Sequence, residues 1–493
     1  MKPLITPAAM REMEQRYFQE TGTASIDLME TASPALCDAL IRRYGADQTI
    51  FFACGPGGNG GDGLACARLY ARAGGRAFIA LAGPPTSPDA AENLRRARAA
   101  GIADAPETVP DVWVDALYGT GLSRAPSGPS AELIERMNAD RTRGASVVAV
   151  DIPSGLNGLT GRAYAPCVRA DMTVTFQYAK PGCFLGDGLD VSGEVVVRDI
   201  GIPFACYPEN SPALVDDIEV RRIVTPRPRN FHKGSGGHLL IVAGSFGMAG
   251  AAALCAMSAL RAGTGLVTVA CPESIVPILQ TLAPCAMCVP LPERDGAISD
   301  GAVEVLKGIL PGKTALACGC GLSRRASRAA LGMLMGCGLP AVLDADALNL
   351  ISEDAALKAS LLPRHLVTPH PGEAARLLGH RVEDPIGDAL ALRALGCQAL
   401  LKGAATAIVV DSRVMISVSG TSGMAKGGSG DCLTGLIGAL AARTRGNDLA
   451  LAAAVGSELH GLAGEIACRE KGVYGMNAED IVRAIPAAMG RYA

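Results

Sequence analysis

The sequence predicts an α/β protein of two domains. Short continuous apolar runs alternate with glycine-rich turns and helical patterns along the whole chain, as parallel strands covered on both faces require. Glycine is abundant (60 residues) and aromatics are few (4%), while 49% of the chain is hydrophobic, a composition that suits tightly packed strand–helix units. The same grammar also stops and restarts once. At roughly 100–200 residues per domain, 493 residues leave room for two such units or more.

In the first half "TIFFACG" (49–55) reads as a buried strand, followed by a glycine-rich turn and a helix from about Asp62 to Ala73. Further strands are expected at 77–83, 111–119, 146–153 and 172–176, and "GEVVVRDIGIP" (193–203) ends the segment. A stretch rich in proline and charge then shows little periodicity and reads as a linker, with the boundary near 210–225. The expected domains are 1–215 and 216–493. The second half opens with a strand at 238–244 and a helix at 249–262. "LVTVACP", "TALACGCG", "AVLDAD" and "LVTPHPGE" follow as strands, and "QALLKGAATAIVV" and "RVMISVSG" as a late hairpin around "DSR". Two helices, about 430–443 and 447–470, are expected to close the chain. No short-period repeat or low-complexity segment interrupts this order.

Net charge is −3 without a basic tail, which disfavours nucleic acid as a partner. The opening "MKPLITPAAMREMEQRY" has no apolar core of a secretory signal, and no long uncharged apolar stretch suggests a membrane span. A cytoplasmic location is expected, with small-molecule substrates and a homo-oligomeric assembly. The 16 cysteines lie mostly singly in apolar runs and read as reduced core residues. A zinc site would need Cys285/Cys288 and Cys318/Cys320 to converge, and both pairs sit in apolar context.

"GPGGNGGDG" (55–63) follows a strand and opens a helix, but its spacing is not the G-x-G-x-x-G of dinucleotide folds. Its glycines still let backbone N–H groups approach an anion at a helix start. Three other strand ends carry polar clusters: "DALYGTGL" (115–122), "DIPSGL" (151–156) and "YAKPG" around Lys180. Ligands of open α/β sheets sit beyond such ends. Asn59, Asp115, Asp151 and Ser154 could converge there as hard oxygen donors suited to an alkali or alkaline-earth cation; singly, each reads better as a turn or cap residue.

"GMAKGGSGDCLTG" (423–435) precedes an apolar helical run. Consecutive glycines allow a backbone nest, and the helix start adds free N–H groups and the positive dipole end. This is an anion hole suited to a phosphoryl group. Asp431 in the first turn is either a cap or a general base for a hydroxyl attacking phosphorus. No Walker A motif is present. "LKGAAT" (401–406) offers Lys402 and Thr406 to nucleotide phosphates, "TPHPGE" (368–373) places His370 and Glu373 in a proline-bounded turn, and Asp344 and Asp346 of "LDADALN" either bind Mg2+ through water or cap the next helix.

Together these motifs, with "HKGSGGHLLIVAGS" and "GMAGAAALCAMSALRAGTGLVTVA", resemble the carbohydrate-kinase-like domain of NAD(P)H-hydrate dehydratases in the ribokinase-like superfamily. "GPGGNGGDG", "VDALYGTGLS" and "AVDIPSGLNG" resemble NAD(P)H-hydrate epimerase domains, and the order resembles the fused bifunctional bacterial enzymes. The resemblance covers nearly the whole chain. It implies an N-terminal Rossmann-like three-layer sandwich and a C-terminal ribokinase-like three-layer α/β/α domain.

The resemblance further implies that Asn59, Asp115 and Ser154 bind K+. The hydrate would be contacted by Gly58, Asn59, Gly60, Gly61 and Asp62, by Gly119, Thr120, Gly121, Leu122, Ser123, Arg124 and Ala125, and by Asp151 as the acid–base group. In the second domain Lys402, Gly403, Ala404, Ala405, Thr406 and Gly430 would hold the nucleotide. Ala251, Gly321, His370 and the catalytic Asp431 would face the hydrate. Mg2+ and ADP are implied as cofactor and phosphoryl donor, although sequence physics does not choose between ADP and ATP. The chain departs from similar sequences at Gly58 and Thr31, where asparagine is usual, at Ser33 for a glycine, at Thr421 and Ser422 for "NP", and at Lys426 for threonine. Thr31 still offers an oxygen, and Lys426 adds charge beside the phosphate loop. Two other readings remain open: a kinase for a hydroxymethylpyrimidine, thiazole or sugar, and a first half that is only a binding or scaffold module.

Overall fold

The computed structural model describes residues 1–122, 124–209, 211–444 and 448–492. It divides into two compact units, Pro3–Pro212 and the chain from Ala213 onward together with Met1–Lys2.

In the first unit parallel strands form one seven-stranded sheet. Their order is Ala103–Asp104, Arg76–Leu81, Thr49–Cys54, Val112–Ala116, Ser146–Val150, Met172–Phe176 and Glu194–Arg198. The chain enters the sheet at Thr49–Cys54, builds outward to Ala103–Asp104, then returns to the other side of its first strand at Val112–Ala116. Strands buried on both faces explain the unbroken apolar runs, and each face has its own core. Phe51 meets Trp113 edge to face with ring centroids 5.2 Å apart, and the Trp113 indole donates to Asp140 Oδ2 at 3.0 Å.

The second unit repeats the plan. Its strands follow the order Ala213–Leu214, Arg413–Ser417, Thr406–Val410, Gln398–Leu401, His365–Val367, Ala341–Leu343, Ala315–Cys318, His238–Val242, Leu266–Pro272 and Met287–Leu291. The first strand in sequence after the Ala213–Leu214 pairing is His238–Val242, and the sheet again grows one way and then resumes on its other side at Ala315–Cys318. Helices Ala249–Arg261 and Ser429–Thr444 cross one face so closely that a Cβ on Gly435 would lie 2.0 Å from the Cys255 carbonyl oxygen.

Several local expectations change. The first glycine-rich segment is not a loop over 58–62: the helix runs Gly58–Arg72 and takes those residues as its first turn. Gly60 makes this possible, since a Cβ there would sit 1.9 Å from the Gly55 carbonyl oxygen. The stretch read as a linker carries a strand, Ala213–Leu214, parallel to Arg413–Ser417, and a helix, Asp217–Ile223, begun by a capping box of Asp216 and Glu219. "QALLKGAATAIVV" is two antiparallel strands, Gln398–Leu401 and Thr406–Val410, turning at 402–405, and the hairpin around "DSR" follows it. Three helices close the chain, Ser429–Thr444, Leu449–Gly475 and Ala478–Gly490. The expected start of the second, at 447, lies outside the described residues. No described helix is long and apolar enough to cross a membrane.

Gly435→Ala is expected to destabilise the chain by about 1–3 kcal/mol, because a methyl group must force two backbones apart. Urea unfolding of the second unit checks this; an unchanged midpoint would show that the helices can separate at no cost.

Candidate active sites

Both sheets reverse their strand order, and ligands of open α/β sheets sit outside the strands' carboxyl ends at such points. In the first unit this point lies between Thr49–Cys54 and Val112–Ala116. A cleft of about 560 Å3 opens there, and Gly58, Asn59, Asp62, Gly119, Thr120, Gly121, Asp151 and Lys180 are among its lining. Asn59 Oδ1 and Asp151 Oδ2 each lie 3.3 Å from the position a Cβ on Gly119 would take, so glycine is what lets both oxygens face the cleft. Asn59 is held by its Nδ2, which donates to the Val150 carbonyl at 3.3 Å.

Asp151 occupies the left-handed region at φ 68°, an unusual state for a side-chain-bearing residue that marks a constrained position. Its Oδ1 accepts from Thr175 Oγ1 at 3.1 Å and from the ammonium of fully buried Lys180. Lys180 also donates to Thr175 Oγ1 at 3.1 Å. Burial drives Asp62 well above the usual carboxylate range, with Asp151, Glu14 and Asp89 adding to it.

Asp115 lies beneath, fully buried. Its Oδ1 accepts from Ser154 Oγ at 2.6 Å and Leu117 N at 3.2 Å, and its Oδ2 from Ser154 N at 2.7 Å. Burial raises it to about 6, although these hydrogen bonds pull it down. All three donors are neutral, so the charged form has no counter-ion among them. Among the remaining expected contacts, Gly60 and Gly61 are buried in the helix start, Leu122, Arg124 and Ala125 are outside the cleft lining, and Ser123 lies outside the described residues. Thr31 does not offer its oxygen to the cleft: it is exposed, and its hydroxyl donates back to the Asp27 carbonyl at 3.1 Å within its own helix. Ser33 does the same to Met29 at 2.8 Å.

In the second unit the reversal lies between His238–Val242 and Ala315–Cys318. The loops above these strands are tied by Gly244 N, which donates to the Cys320 carbonyl at 2.8 Å. Gly321, at φ 60°, packs on Ala251, whose Cβ would be 2.9 Å from a Cβ at 321. Asp344, almost fully buried, ends the strand Ala341–Leu343. It makes no side-chain cap for the helix that follows. Instead Oδ1 accepts from Lys402 Nζ at 2.6 Å and Oδ2 from Thr434 Oγ1 at 2.6 Å. Burial lowers the Lys402 pKa, but Asp344 and Glu373 outweigh it, so the ammonium stays firmly charged.

Gly430 completes this corner: a Cβ there would lie 3.3 Å from Lys402 Nζ and 3.7 Å from Asp344 Oδ2. Gly428 just before it has φ 93° and faces Ala478 and Leu254. Asp431 stands in the first helical turn. Burial raises it to about 6; Asp344 and Asp346 add to the rise, while the Cys320 thiol and Lys402 oppose it. His370 N-caps the helix Pro371–Leu378. Its Nδ1 accepts from Gly372 N at 3.0 Å, and its own N–H goes to Glu373 Oε2 at 2.9 Å. Glu373 Oε2 is also 3.9 Å from Lys402 Nζ. A ribbon of His370, Glu373, Lys402, Asp344 and Thr434 therefore leads to the glycine loop.

The rest of the nucleotide set forms the tight turn 402–405, with Gly403 and Ala404 exposed, Ala405 buried and Thr406 starting the next strand. Lys426 does not add its charge to the phosphate loop: its ammonium donates to the carbonyls of Tyr474 at 2.6 Å and Met476 at 2.5 Å. Asp346 is likewise committed, accepting from Ser323 N at 2.8 Å and Asn349 Nδ2 at 3.1 Å. Sequence reasoning passed over His460. Its ring lies against the Ser429 backbone near Lys402, Nε2 is buried with no partner among the described residues, and burial lowers it to about 4. Only its place in an apolar helical run could have flagged it.

Fold and sites define a two-unit α/β protein whose second unit sets a glycine-rich helix start beside the Lys402–Asp344 pair, with Asp431 in its first turn. The fold of the second unit is shared with a ribokinase-like superfamily protein from Enterococcus faecalis (TM-score 0.51, 24% identity, 58% of this chain and 98% of that one). A family model described as NAD(P)H-hydrate dehydratase matches residues 239–487, and one described as YjeF-related protein N-terminus matches 25–182. The chain is 37% identical over 512 residues to the bifunctional NAD(P)H-hydrate repair enzyme Nnr of Moorella thermoacetica, covering 98% of this chain and 96% of that protein. It is 34% identical over 491 residues to the enzyme of the same description from Escherichia coli, covering 96% and 91%. The chain belongs to the family of bifunctional NAD(P)H-hydrate repair enzymes.

Thr434→Val removes one of the two hydrogen bonds to Asp344 while keeping the side chain's shape. It is expected to cost about 1.5–3 kcal/mol, the range for a hydrogen bond to a charged group. Urea unfolding measures it, and an unchanged stability would mean that the Thr434 hydrogen bond adds nothing net to the folded chain.

Proposed function

We propose that this chain repairs hydrated NADH and NADPH in two steps. Residues 1–215 interconvert the R and S hydrates at C6 of the reduced nicotinamide ring. Residues 216–493 dehydrate the S hydrate at the expense of ADP, releasing AMP and phosphate. The observation that carries this reading is the Lys402–Asp344–Thr434 knot under Gly430, with Asp431 beside it. It joins phosphate recognition to a carboxylate in the proton-accepting range.

In the second unit Lys402 and the N–H groups at the start of helix Ser429–Thr444 bind the phosphates of a nucleotide held by 402–406 and Gly430. Ala251, Gly321 and His370 face the nicotinamide end. Asp431 takes the proton from the C6 hydroxyl as that oxygen bonds to the β-phosphorus of ADP and the bridging oxygen leaves with AMP. Phosphate is a far better leaving group than hydroxide. The C6–O bond then breaks with its electron pair on phosphate, the ring nitrogen lone pair assists, and loss of a proton from C5 restores the C5=C6 double bond. The oxygens of Asp344 and Asp346 already accept from protein donors. Mg2+ would instead ride on the nucleotide phosphates and waters.

In the first unit Asp151, oriented by Lys180 and Thr175, is the acid–base group. The Asp115–Ser154 knot and Asn59 fit K+. A buried carboxylate with only neutral donors is costly, and a monovalent cation held by these hard oxygens supplies the missing positive charge beside the cleft.

Asp431→Ala is expected to abolish dehydration while leaving epimerisation intact, and near-normal dehydration would remove Asp431 from its role. In the wild-type chain the dehydration rate rises with pH through about 6 and then levels off, since the base must be ionised; a pH–rate profile with saturating ADP checks it. Incubation of mixed-epimer hydrate with ADP or ATP, followed by the near-ultraviolet absorbance of recovered NAD(P)H, tests both units. Recovery of both epimers with ADP is expected. Phosphorylation of a hydroxymethylpyrimidine, thiazole or sugar without any recovery would favour the kinase reading.

A further inference from the structure

We propose that Glu14 is a second catalytic acid–base group of the first cleft, acting on the C6 hydroxyl of a hydrate held between it and Asp151. This role presupposes that the first unit epimerises the hydrate.

Glu14 belongs to the helix Pro7–Thr21, which Thr6 caps through Ala9 N at 3.2 Å. The helix buries Met10 and Met13 in the core. Arg11 and Glu14 beside them line the same cleft as Asp151, Asp62 and Lys180. The cations that face Glu14 are engaged elsewhere. Lys180 is paired with Asp151 and Arg11 donates to the Thr120 carbonyl at 2.9 Å. Burial, and then the charge of Asp151, raise Glu14 to about 7, against the pull of Lys180 and Arg11. Asp62 on the neighbouring helix is raised with it. A half-buried carboxyl facing engaged cations costs stability and does little for the fold, and groups perturbed in this way cluster where proton transfer is the task.

The chemistry calls for such a partner. Carbon 6 bears both the ring nitrogen and the hydroxyl, so its configuration inverts most readily by breaking the C6–O bond. Protonated Glu14 gives its proton to the hydroxyl oxygen as that bond breaks. The oxygen leaves as water with the bond's electron pair, and the nitrogen lone pair forms C6=N. Water then adds to the other face of C6, and its proton goes to Asp151. In the reverse direction the two carboxyl groups exchange roles, and solvent returns the proton between turnovers. No oxidant or reductant is needed.

The test uses the full chain and a single purified epimer, with interconversion followed by chromatography. Glu14→Gln is expected to lower kcat for epimerisation by about 10²–10⁴-fold, the usual worth of a general acid, with KM little changed. The wild-type rate should fall as pH rises above about 7, because the acid must be protonated, and this limb should vanish in E14Q. Glu14→Asp should restore part of kcat. Solvent ¹⁸O should enter the C6 hydroxyl at the rate of epimerisation. ADP-dependent dehydration of the S hydrate by the same E14Q preparation should be normal, with unfolding no easier than in the wild type. Near-normal kcat in E14Q, a surviving alkaline limb, retention of the original oxygen, or an E14Q chain that fails to fold would each overturn the role. A wild-type chain that leaves the epimers at the uncatalysed rate overturns the epimerase reading itself, and this role with it.

Discussion

An open parallel sheet that grows in both directions from its first strand must reverse its order once, and this constraint positions everything else in the chain. At the reversal the chain leaves two central strands towards different faces, and the carboxyl ends of those strands are where open sheets take their ligands. In the first unit Gly55 follows one of these strands and Leu117 the other. In the second they are Ala243 and Gly319. Asn59, Gly119 and Gly321 sit a few positions beyond these ends, and Asp151 and Asp344 directly follow other parallel strands, Ser146–Val150 and Ala341–Leu343. The antiparallel strands Gln398–Leu401, Thr406–Val410 and Arg413–Ser417 extend the second sheet beyond this pattern. They bring Lys402 in at a tight turn rather than at a crossover.

Buried carboxylates are the cost of placing chemistry at such points, and the chain meets it in three ways. Asp344 takes a lysine and a hydroxyl. Asp115 takes only neutral donors from the Ser154 turn and the Leu117 amide, and its raised pKa records the shortfall. Glu14 and Asp431 are left poised near neutrality by burial itself, at about 7 and about 6. Partial compensation leaves such a group able to exchange a proton near neutral pH. Raised carboxyl groups of this kind cluster where protons are moved, and Asp151 shows that a lysine partner can instead orient a group for that task.

How much of this could be read in the sequence depended on whether the signal was local. The two-part α/β plan was legible because buried parallel strands leave continuous apolar runs, and the ribokinase-like unit was legible from its ordered motif set. The capped helix Asp217–Ile223 was hidden because proline and charge around it masked a seven-residue element that owes its start to Asp216 and Glu219. The turn at Lys402–Ala405 was hidden because small residues kept the apolar run unbroken. Glu14 and His460 were invisible for a different reason. Each lies on a helix whose local pattern is ordinary, and only tertiary packing turns it towards the cleft or the Ser429 backbone. Lys426 shows the opposite: its place beside the glycine loop suggested added charge there, while the carbonyls of Tyr474 and Met476 hold its ammonium.

Glycine plays different parts in the two clusters that look alike on paper. In "GPGGNGGDG" Gly60 and Gly61 are packing devices, crowded by the Gly55 carbonyl and the Met29 thioether. They allow a helix to begin directly above a strand and so set Asn59 and Asp62 at the cleft. In "GMAKGGSGDCLTG" Gly428 supplies a positive φ, while Gly430 leaves room where a side chain would press on Lys402 and Asp344. The first cluster therefore sets side chains at the cleft, and the second sets backbone beside the Lys402 ammonium. That difference follows the proposed chemistry. Inverting a carbon bearing a hydroxyl needs carboxyl groups that can give and take protons, whereas moving a phosphoryl group needs fixed positive charge with one base at its edge.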